Sequence, residues 1–132
     1  MILFINTASY DEIIITLLSP DGQKIKSKKF KAPRQQAEKL LPAVAKILLV
    51  ANKELKDITK IQVVVTGGSF TSLRIGVVTA NALAYALNIS VEAVSASGEI
   101  LKNQAAKKFA TYNIVTPQYD REPNIGVKKE KK

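Results

Sequence analysis

The sequence predicts an α/β fold, in which helices pack on a mixed five-stranded sheet. Strand-like and helix-like segments follow one another in the order β-β-β-α-β-α-β-α, and a meander followed by strand–helix crossovers produces such a sheet. Of the 132 residues, 46% are hydrophobic and 23% are charged, which is a globular composition. A single domain of this length buries roughly two-thirds of its unfolded surface.

The first three strands are predicted at residues 2–5, 13–18 and 23–31. All three segments are rich in aliphatic or alternating residues. Ser19-Pro20-Asp21-Gly22 separates the second strand from the third and is typical of a tight turn, because proline presets φ and glycine accepts a positive φ. We therefore expect an antiparallel meander with the first strand innermost.

A first helix is predicted over residues 35–55. Its regular part should begin near Lys39, because Pro42 suits only a first turn. Its apolar residues span an arc of roughly 220°, whereas a helix on a sheet needs only about 100°. The excess predicts burial on two sides, either within the domain or against another chain.

The fourth strand, at residues 61–65, leads through Gly67 and Gly68 to a second helix over residues 72–87. Gly76, Ala80 and Ala84 recur at every fourth position of that helix. Such a strip of small residues would let another backbone approach closely. Asn88 follows as a natural C-terminal cap.

The fifth strand is predicted at residues 91–94 and a third helix at 97–112, with Leu101, Ala105, Phe109 and Tyr112 on one face. Residues 1–112 would form one lobe, and residues 113–132 an extended tail with a basic C-terminus. The apolar opening lacks the basic start of a signal peptide. The run over residues 73–87 is too short for a membrane span. We expect a cytoplasmic protein.

The composition argues against catalysis. The sequence contains no cysteine and no histidine, which excludes thiolate metal sites, cysteine nucleophiles and imidazole acid–base chemistry. Asp11 and Glu12 directly precede the second predicted strand; neighbouring residues in extended backbone point to opposite faces, so they make a poor acid–base pair. We expect no enzyme activity, no cofactor and no metal.

Positive charge is concentrated in two segments. The net charge is +9; residues 24–34 carry six basic side chains and no acidic one, and the last five residues contribute a further +3. Such segments attract phosphate backbones, although a solvated strand and a solubilising tail are the simpler explanation. A small basic RNA-binding protein is therefore one alternative function.

The glycine turn is a candidate anion site, because it joins a strand to a helix N-terminus. The first strand ends where it could face the same crevice. The alternative is that the glycines only form a tight turn. A remnant nucleotide-binding lobe is thus a further alternative function. The candidate anion contacts are Asn6, Thr7, Gly67, Gly68, Ser69 and Arg74.

The segment Gly68-Ser69-Phe70-Thr71-Ser72-Leu73-Arg74-Ile75-Gly76 resembles the signature of the bacterial TsaB (YeaZ) family, which typically reads Gly-Pro-Gly-Ser-Phe-Thr-Gly-Leu-Arg-Ile-Gly. Residues 2–8, residues 38–42 and the tail pattern Pro117-x-Tyr119-x-Arg121-x-Pro123 are similar to other family segments in the same order. Asn6 and Ala8 replace the usual Asp and Ser. Most of the family's second lobe has no counterpart before the tail pattern.

This resemblance implies one lobe of the actin-like ATPase (sugar kinase/Hsp70-type) fold. It also implies a non-catalytic scaffold partner of a TsaD-type transferase, which forms threonylcarbamoyladenosine beside the anticodon of tRNA. The protein would be a homodimer when alone, with a TsaE-type ATPase as a second candidate partner, only indirect contact with tRNA and none with a membrane. Helix geometry and the analogy together predict the interface residues Leu41, Val44, Leu48, Gly76, Ala80 and Leu83.

Overall fold

The computed structural model of the protein describes residues 1–101, 107–109 and 112–114. The strands are β1 (Ile2–Asn6), β2 (Glu12–Leu18), β3 (Lys24–Lys31), β4 (Lys60–Val64), β5 (Ser90–Val94), β6 (Lys107–Phe109) and β7 (Tyr112–Ile114). The helices are α1 (Gln36–Val50) and α2 (Phe70–Leu87), and a short 3-10 turn lies at Leu55–Asp57.

The main sheet has five strands in the order β3-β2-β1-β4-β5. β1 pairs antiparallel with β2 and parallel with β4, so the predicted mixed sheet and the central place of the first strand are confirmed. Alternate residues of the central strands, such as Leu3, Ile15 and Val63, join one core cluster with buried residues of both helices. Because strand side chains alternate between faces, α1 and α2 cover the same face of the sheet.

α1 begins at Gln36, so the prediction that the regular helix starts near Lys39 is wrong. Pro42 lies inside the helix rather than in its first turn. Proline has no backbone N–H, so the carbonyl of Glu38 loses its usual helical partner. Both residues are exposed, and water can donate to that carbonyl instead.

Both helices end at an asparagine in the left-handed region. At the end of α1, Asn52 has a φ of 60°, and the N–H groups of Asn52 and Lys53 donate to the carbonyls of Leu49 and Leu48. This Schellman pattern stops the helix before the predicted residue 55. Asn88 has a φ of 57° and ends α2 in the same way, which confirms the predicted cap.

The start of α1 is anchored by a buried amide. Gln36 is 4% exposed, and its Nε2 donates to the carbonyl oxygens of Ser9 at 2.6 Å and Glu12 at 2.7 Å. A third carbonyl, that of Thr7, lies 3.4 Å away. The side chain thus joins α1 to the loop between β1 and β2, and this contact accounts for a helix start three residues earlier than expected.

The predicted third helix over residues 97–112 is wrong for the described residues. Gly98, with a φ of +92°, lies in a turn after β5, and the N–H of Leu101 then donates to the carbonyl of Ala93. β6 and β7 form an antiparallel pair with Phe109 opposite Tyr112. Aromatic and β-branched residues favour strands, and this preference prevails over the four-residue spacing that suggested a helix. Residues 102–106 and 110–111 lie outside the described residues.

The predicted boundary between lobe and tail, after residue 112, falls within β7. Residues 113 and 114 complete that strand. The rest of the predicted tail, including the pattern from Pro117 to Pro123, lies outside the described residues. The division into lobe and tail therefore stays a prediction.

α2 is longer than predicted because it begins at Phe70. Its 18 residues have a mean hydropathy of 1.2, and among the described residues it is the one helix whose length and composition would allow it to cross a membrane. The expectation that this run is too short is therefore wrong. The core helix of a soluble domain passes the same test, and α2 packs on the sheet through Val77, Ala80 and Ala84.

Replacing Gln36 with leucine should destabilise the domain by roughly 1–3 kcal/mol, because two partly buried carbonyl groups would lose their donor. The matched control is Gln35→Leu, next to it in the chain, whose exposed side chain makes no capping bond. That change should stay within about 0.5 kcal/mol. Urea unfolding of both variants measures the difference, and equal losses would contradict the anchoring role.

Candidate functional site

The carboxyl ends of β1 and β4 meet at one edge of the sheet, because the two strands are parallel neighbours. The loop after β1 and the glycine turn after β4 lie there together with the first turn of α2. The Oγ1 of Thr7, which is 1% exposed, donates to the carbonyl of Ser72 at 2.5 Å. The structure therefore brings Thr7 to the start of α2, as the predicted anion site requires.

The two loops pack against each other without space between them. A Cβ on Gly68 would overlap the carbonyl oxygen and the Cα of Ala8. Gly67 has a φ of +82°, which favours glycine for conformational reasons. Close packing therefore explains the glycine at position 68, and backbone conformation explains the glycine at position 67.

The polar side chains of this edge already have backbone partners. The Oδ1 of Asn6 accepts from the N–H of Ala8 at 2.9 Å. The Oγ of Ser69 accepts from the N–H of Ser72 at 3.1 Å and caps α2. These contacts support the tight-turn interpretation, and an anion contact at these residues stays a prediction.

Arg74 lies on the exposed side of α2, one turn after its start. Its guanidinium carbon is 5.8 Å from the centre of the Phe70 ring, within the range of a cation–π contact. No ion pair of Arg74 occurs among residues 1–101. The sequence predicted Arg74 as an anion contact and did not indicate the aromatic partner four residues earlier.

The strip of small residues on α2 faces its own sheet. A Cβ on Gly76 would lie 2.6 Å from the Oγ1 of Thr7 and 3.5 Å from the Cγ2 of Val63. Ala80 and Ala84 are fully buried in the same core. The close approach expected from this strip is therefore made to β1 and β4 within the domain, and Gly76 and Ala80 are not available to a docked partner.

Two more of the predicted interface residues, Val44 and Leu48, lie on the buried side of α1. Leu83 is half-buried and packs against the core. Leu41 alone of the six is largely exposed, at 51%. The wide apolar arc of α1 had predicted two buried sides, but the sequence did not indicate which of its residues face the sheet.

The exposed sides of both helices carry aliphatic residues beside charged ones. Leu49 is 78% exposed and Val78 is 58% exposed. We define the two-helix face as the exposed small and aliphatic residues along these sides: Leu41, Ala45 and Leu49 on α1, and Val78 and Ala82 on α2. In each helix they recur at every fourth position, which places them in one row.

Asp11 and Glu12 converge on one lysine instead of pointing apart. The Nζ of Lys31 lies 3.2 Å from a carboxylate oxygen of Asp11 and 3.5 Å from one of Glu12. Asp11 precedes β2, so strand alternation does not apply to it. The hydrogen bond from the Ser9 hydroxyl, and to a smaller extent the one from Lys31, holds the pKa of Asp11 below its usual value. The hydrogen bond to Asp11 in turn raises the pKa of Lys31. The group is a charged structural cluster.

The described part of the chain contains no cluster of three or more acidic side chains that could hold a metal ion.

Comparison with known proteins places this geometry in a family. A family model described as TsaD, tRNA N6-adenosine threonylcarbamoyltransferase, matches residues 27–112, which is more than half of the chain. The chain belongs to this TsaD family. The predicted actin-like ATPase-type fold is thereby confirmed. A comparison with curated protein sequences gives no match.

Among solved structures, YeaZ from Pseudomonas aeruginosa is 32% identical over 71% of this chain, with a TM-score of 0.65. A second structure, of an uncharacterized protein with similarity to peptidase YEAZ from Pseudomonas aeruginosa, is also 32% identical over 71% of this chain, with a TM-score of 0.65. Together with the family model, these structures confirm the predicted TsaB (YeaZ) family. The chain spans 43% of the first structure's chain and 42% of the second's.

Gly68→Ala should cost more stability than Gly67→Ala, although Gly67 is the glycine with positive φ. At Gly67 the new Cβ would meet only the Ala96 Cβ at an ordinary 3.5 Å, so the cost is about 1–2 kcal/mol of backbone strain. At Gly68 the obstacle is backbone, and we expect a loss of about 3 kcal/mol or more. Thermal unfolding of both variants tests this order, and the reverse order would contradict the close packing of the two loops.

Proposed function

We propose that this chain is a non-catalytic scaffold partner of a TsaD-type transferase and supports the formation of threonylcarbamoyladenosine in tRNA. Family membership and the similarity to YeaZ support the pathway. The observation that carries the scaffold role is the two-helix face. The chain spans less than half the length of the YeaZ chains, and the proposal concerns the lobe that contains this face.

The two-helix face has the properties of a protein-binding surface. It consists of exposed aliphatic residues on two helices that pack against each other. Contiguous apolar surface is uncommon on monomeric domains and marks interaction sites. Rows at a four-residue spacing are the ridges through which one helix packs into the grooves of another. A partner that presents helices would therefore bury this face.

Residue chemistry supports the non-catalytic role. The sequence offers no histidine or cysteine as a general base or nucleophile. The adjacent acids Asp11 and Glu12 are held as charged partners of Lys31. A scaffold needs none of these groups to be free.

We propose that the same face pairs two copies of the chain when TsaD is absent. A homodimer and a TsaD complex would then exclude each other. A TsaE-type ATPase would join through the transferase complex. We do not propose nucleotide binding, because Asn6, Thr7 and Ser69 already bond to backbone groups.

Leu49→Glu should weaken the complex with the TsaD of the same organism at least about tenfold, because a charge would be buried at the interface without a partner. Leu55→Glu is the matched control: Leu55 is also exposed, at 46%, but it lies in the 3-10 turn outside α1. Light scattering of each variant, alone and with TsaD, measures both association states.

Both variants should unfold at the same temperature as the wild-type chain, because both positions are exposed. A wild-type chain that stays monomeric and does not associate with TsaD would refute the scaffold role. Equal effects of the two glutamates would show that the interface lies elsewhere.

A further inference from the structure

We infer that this chain binds RNA directly, through phosphate contacts in a basic groove between β3 and α1. We define the basic groove by the four lysines that line it: Lys26 and Lys28 on β3, and Lys39 and Lys46 on α1. The choice of RNA as the polyanion rests on the proposed function, whereas the groove and its charge do not. Direct contact would replace the indirect contact with tRNA that the family resemblance implied.

The groove is an open space of about 660 Å³ along the edge of the sheet. β3 forms one wall and α1 the other. The apolar floor includes Phe30, which is half-buried, and Ile47, which is 4% exposed. All four lysines are exposed at the rim, and no acidic residue lines the groove.

Four of the five lysines of β3, all but Lys24, fall into two groups by the face they occupy. Lys29 and Lys31 lie on the outer face, where Glu12 and Asp11 neutralise them through contacts of 3.2–3.9 Å. Lys26 and Lys28 lie opposite Leu17 and Ile15, on the face that α1 covers. Within residues 1–101 these two have no acidic partner. Of these four lysines, the two without an acidic partner are thus the two that line the groove.

The spacing of the two lysine pairs follows from the elements that carry them. Residues two apart in a strand share one face and lie about 6.6–6.8 Å apart. Lys39 and Lys46 are seven residues apart, which is nearly two full helical turns and a rise of about 10.5 Å. Two rows of positive charge therefore run along the walls of one groove, and an extended polyanion matches this arrangement better than a single anion.

Phosphates fit this groove better than an acidic protein segment. A docked peptide draws most of its affinity from an apolar anchor in a pocket. Ile47 is already covered by the core and Phe30 is half covered, so the floor offers little to such an anchor. Flexible lysines at a solvated rim instead suit sequence-independent phosphate contacts, and a net charge of +9 favours the encounter with RNA.

The test measures binding of the full chain, without TsaD, to an unmodified tRNA transcript by fluorescence anisotropy at several salt concentrations. Four lysine–phosphate contacts predict a slope of log K against log salt of about −3. Lys26→Gln combined with Lys28→Gln should make the slope shallower by about 1.5 and weaken binding at least about tenfold near 0.1 M salt.

The matched control is Lys29→Gln combined with Lys31→Gln, which removes the same charge from the same strand. Because these lysines are already neutralised, binding should change less than about threefold. Equal losses in the two double variants, a flat salt dependence, or binding of poly-glutamate as tight as that of RNA would each overturn the inference.

This test is independent of the scaffold role. Lys26 and Lys28 lie outside the two-helix face, so their variants should bind TsaD normally in the light-scattering experiment. Loss of RNA binding with TsaD binding retained would separate the two surfaces. If TsaD binding fails while the groove variants still lose RNA affinity, the scaffold role is refuted and the RNA site stands.

Discussion

The fold depends on the close approach of α2 to the ends of β1 and β4. Gly76 leaves room for the buried Thr7 hydroxyl, which bonds to the first turn of the helix. Gly68 lets the turn after β4 lie directly on Ala8. With α2 held at this distance, Gly76, Ala80 and Ala84 face the sheet together with Val77, and Val78 faces outward. The contact of α2 with the ends of β1 and β4 thus determines which residues of this helix are exposed.

Much of the architecture could be predicted from the sequence, because strand alternation and turn residues are local signals. The meander, the central first strand and the Asn88 cap follow from such signals. That α1 is regular from Gln36 rather than from Lys39 could not be predicted, since it depends on the bonds of Gln36 to carbonyl groups more than twenty residues earlier. The residues after β5 were misassigned because a four-residue spacing over a short run fits a helix as well as a strand pair.

For the candidate site, the sequence predicted which segments lie together but not what their side chains do. Parallel pairing of β1 with β4 is predictable and places the Thr7 loop beside the glycine turn. Whether side chains there bind a ligand or the neighbouring backbone depends on distances of a few tenths of an ångström. Similarly, an apolar arc as wide as that of α1 predicts two contacts without indicating which residues make each one.

The lysines of β3 have a second consequence, because β3 is an edge strand of the five-stranded sheet. An edge strand presents unpaired backbone groups that can recruit a strand of another molecule, and lysines on the edge oppose such pairing. Charge repulsion between copies would therefore keep this edge from aggregating. A polyanion that neutralises the lysines would weaken that protection unless it also covers the edge, so that solubility and RNA occupancy would depend on the same side chains.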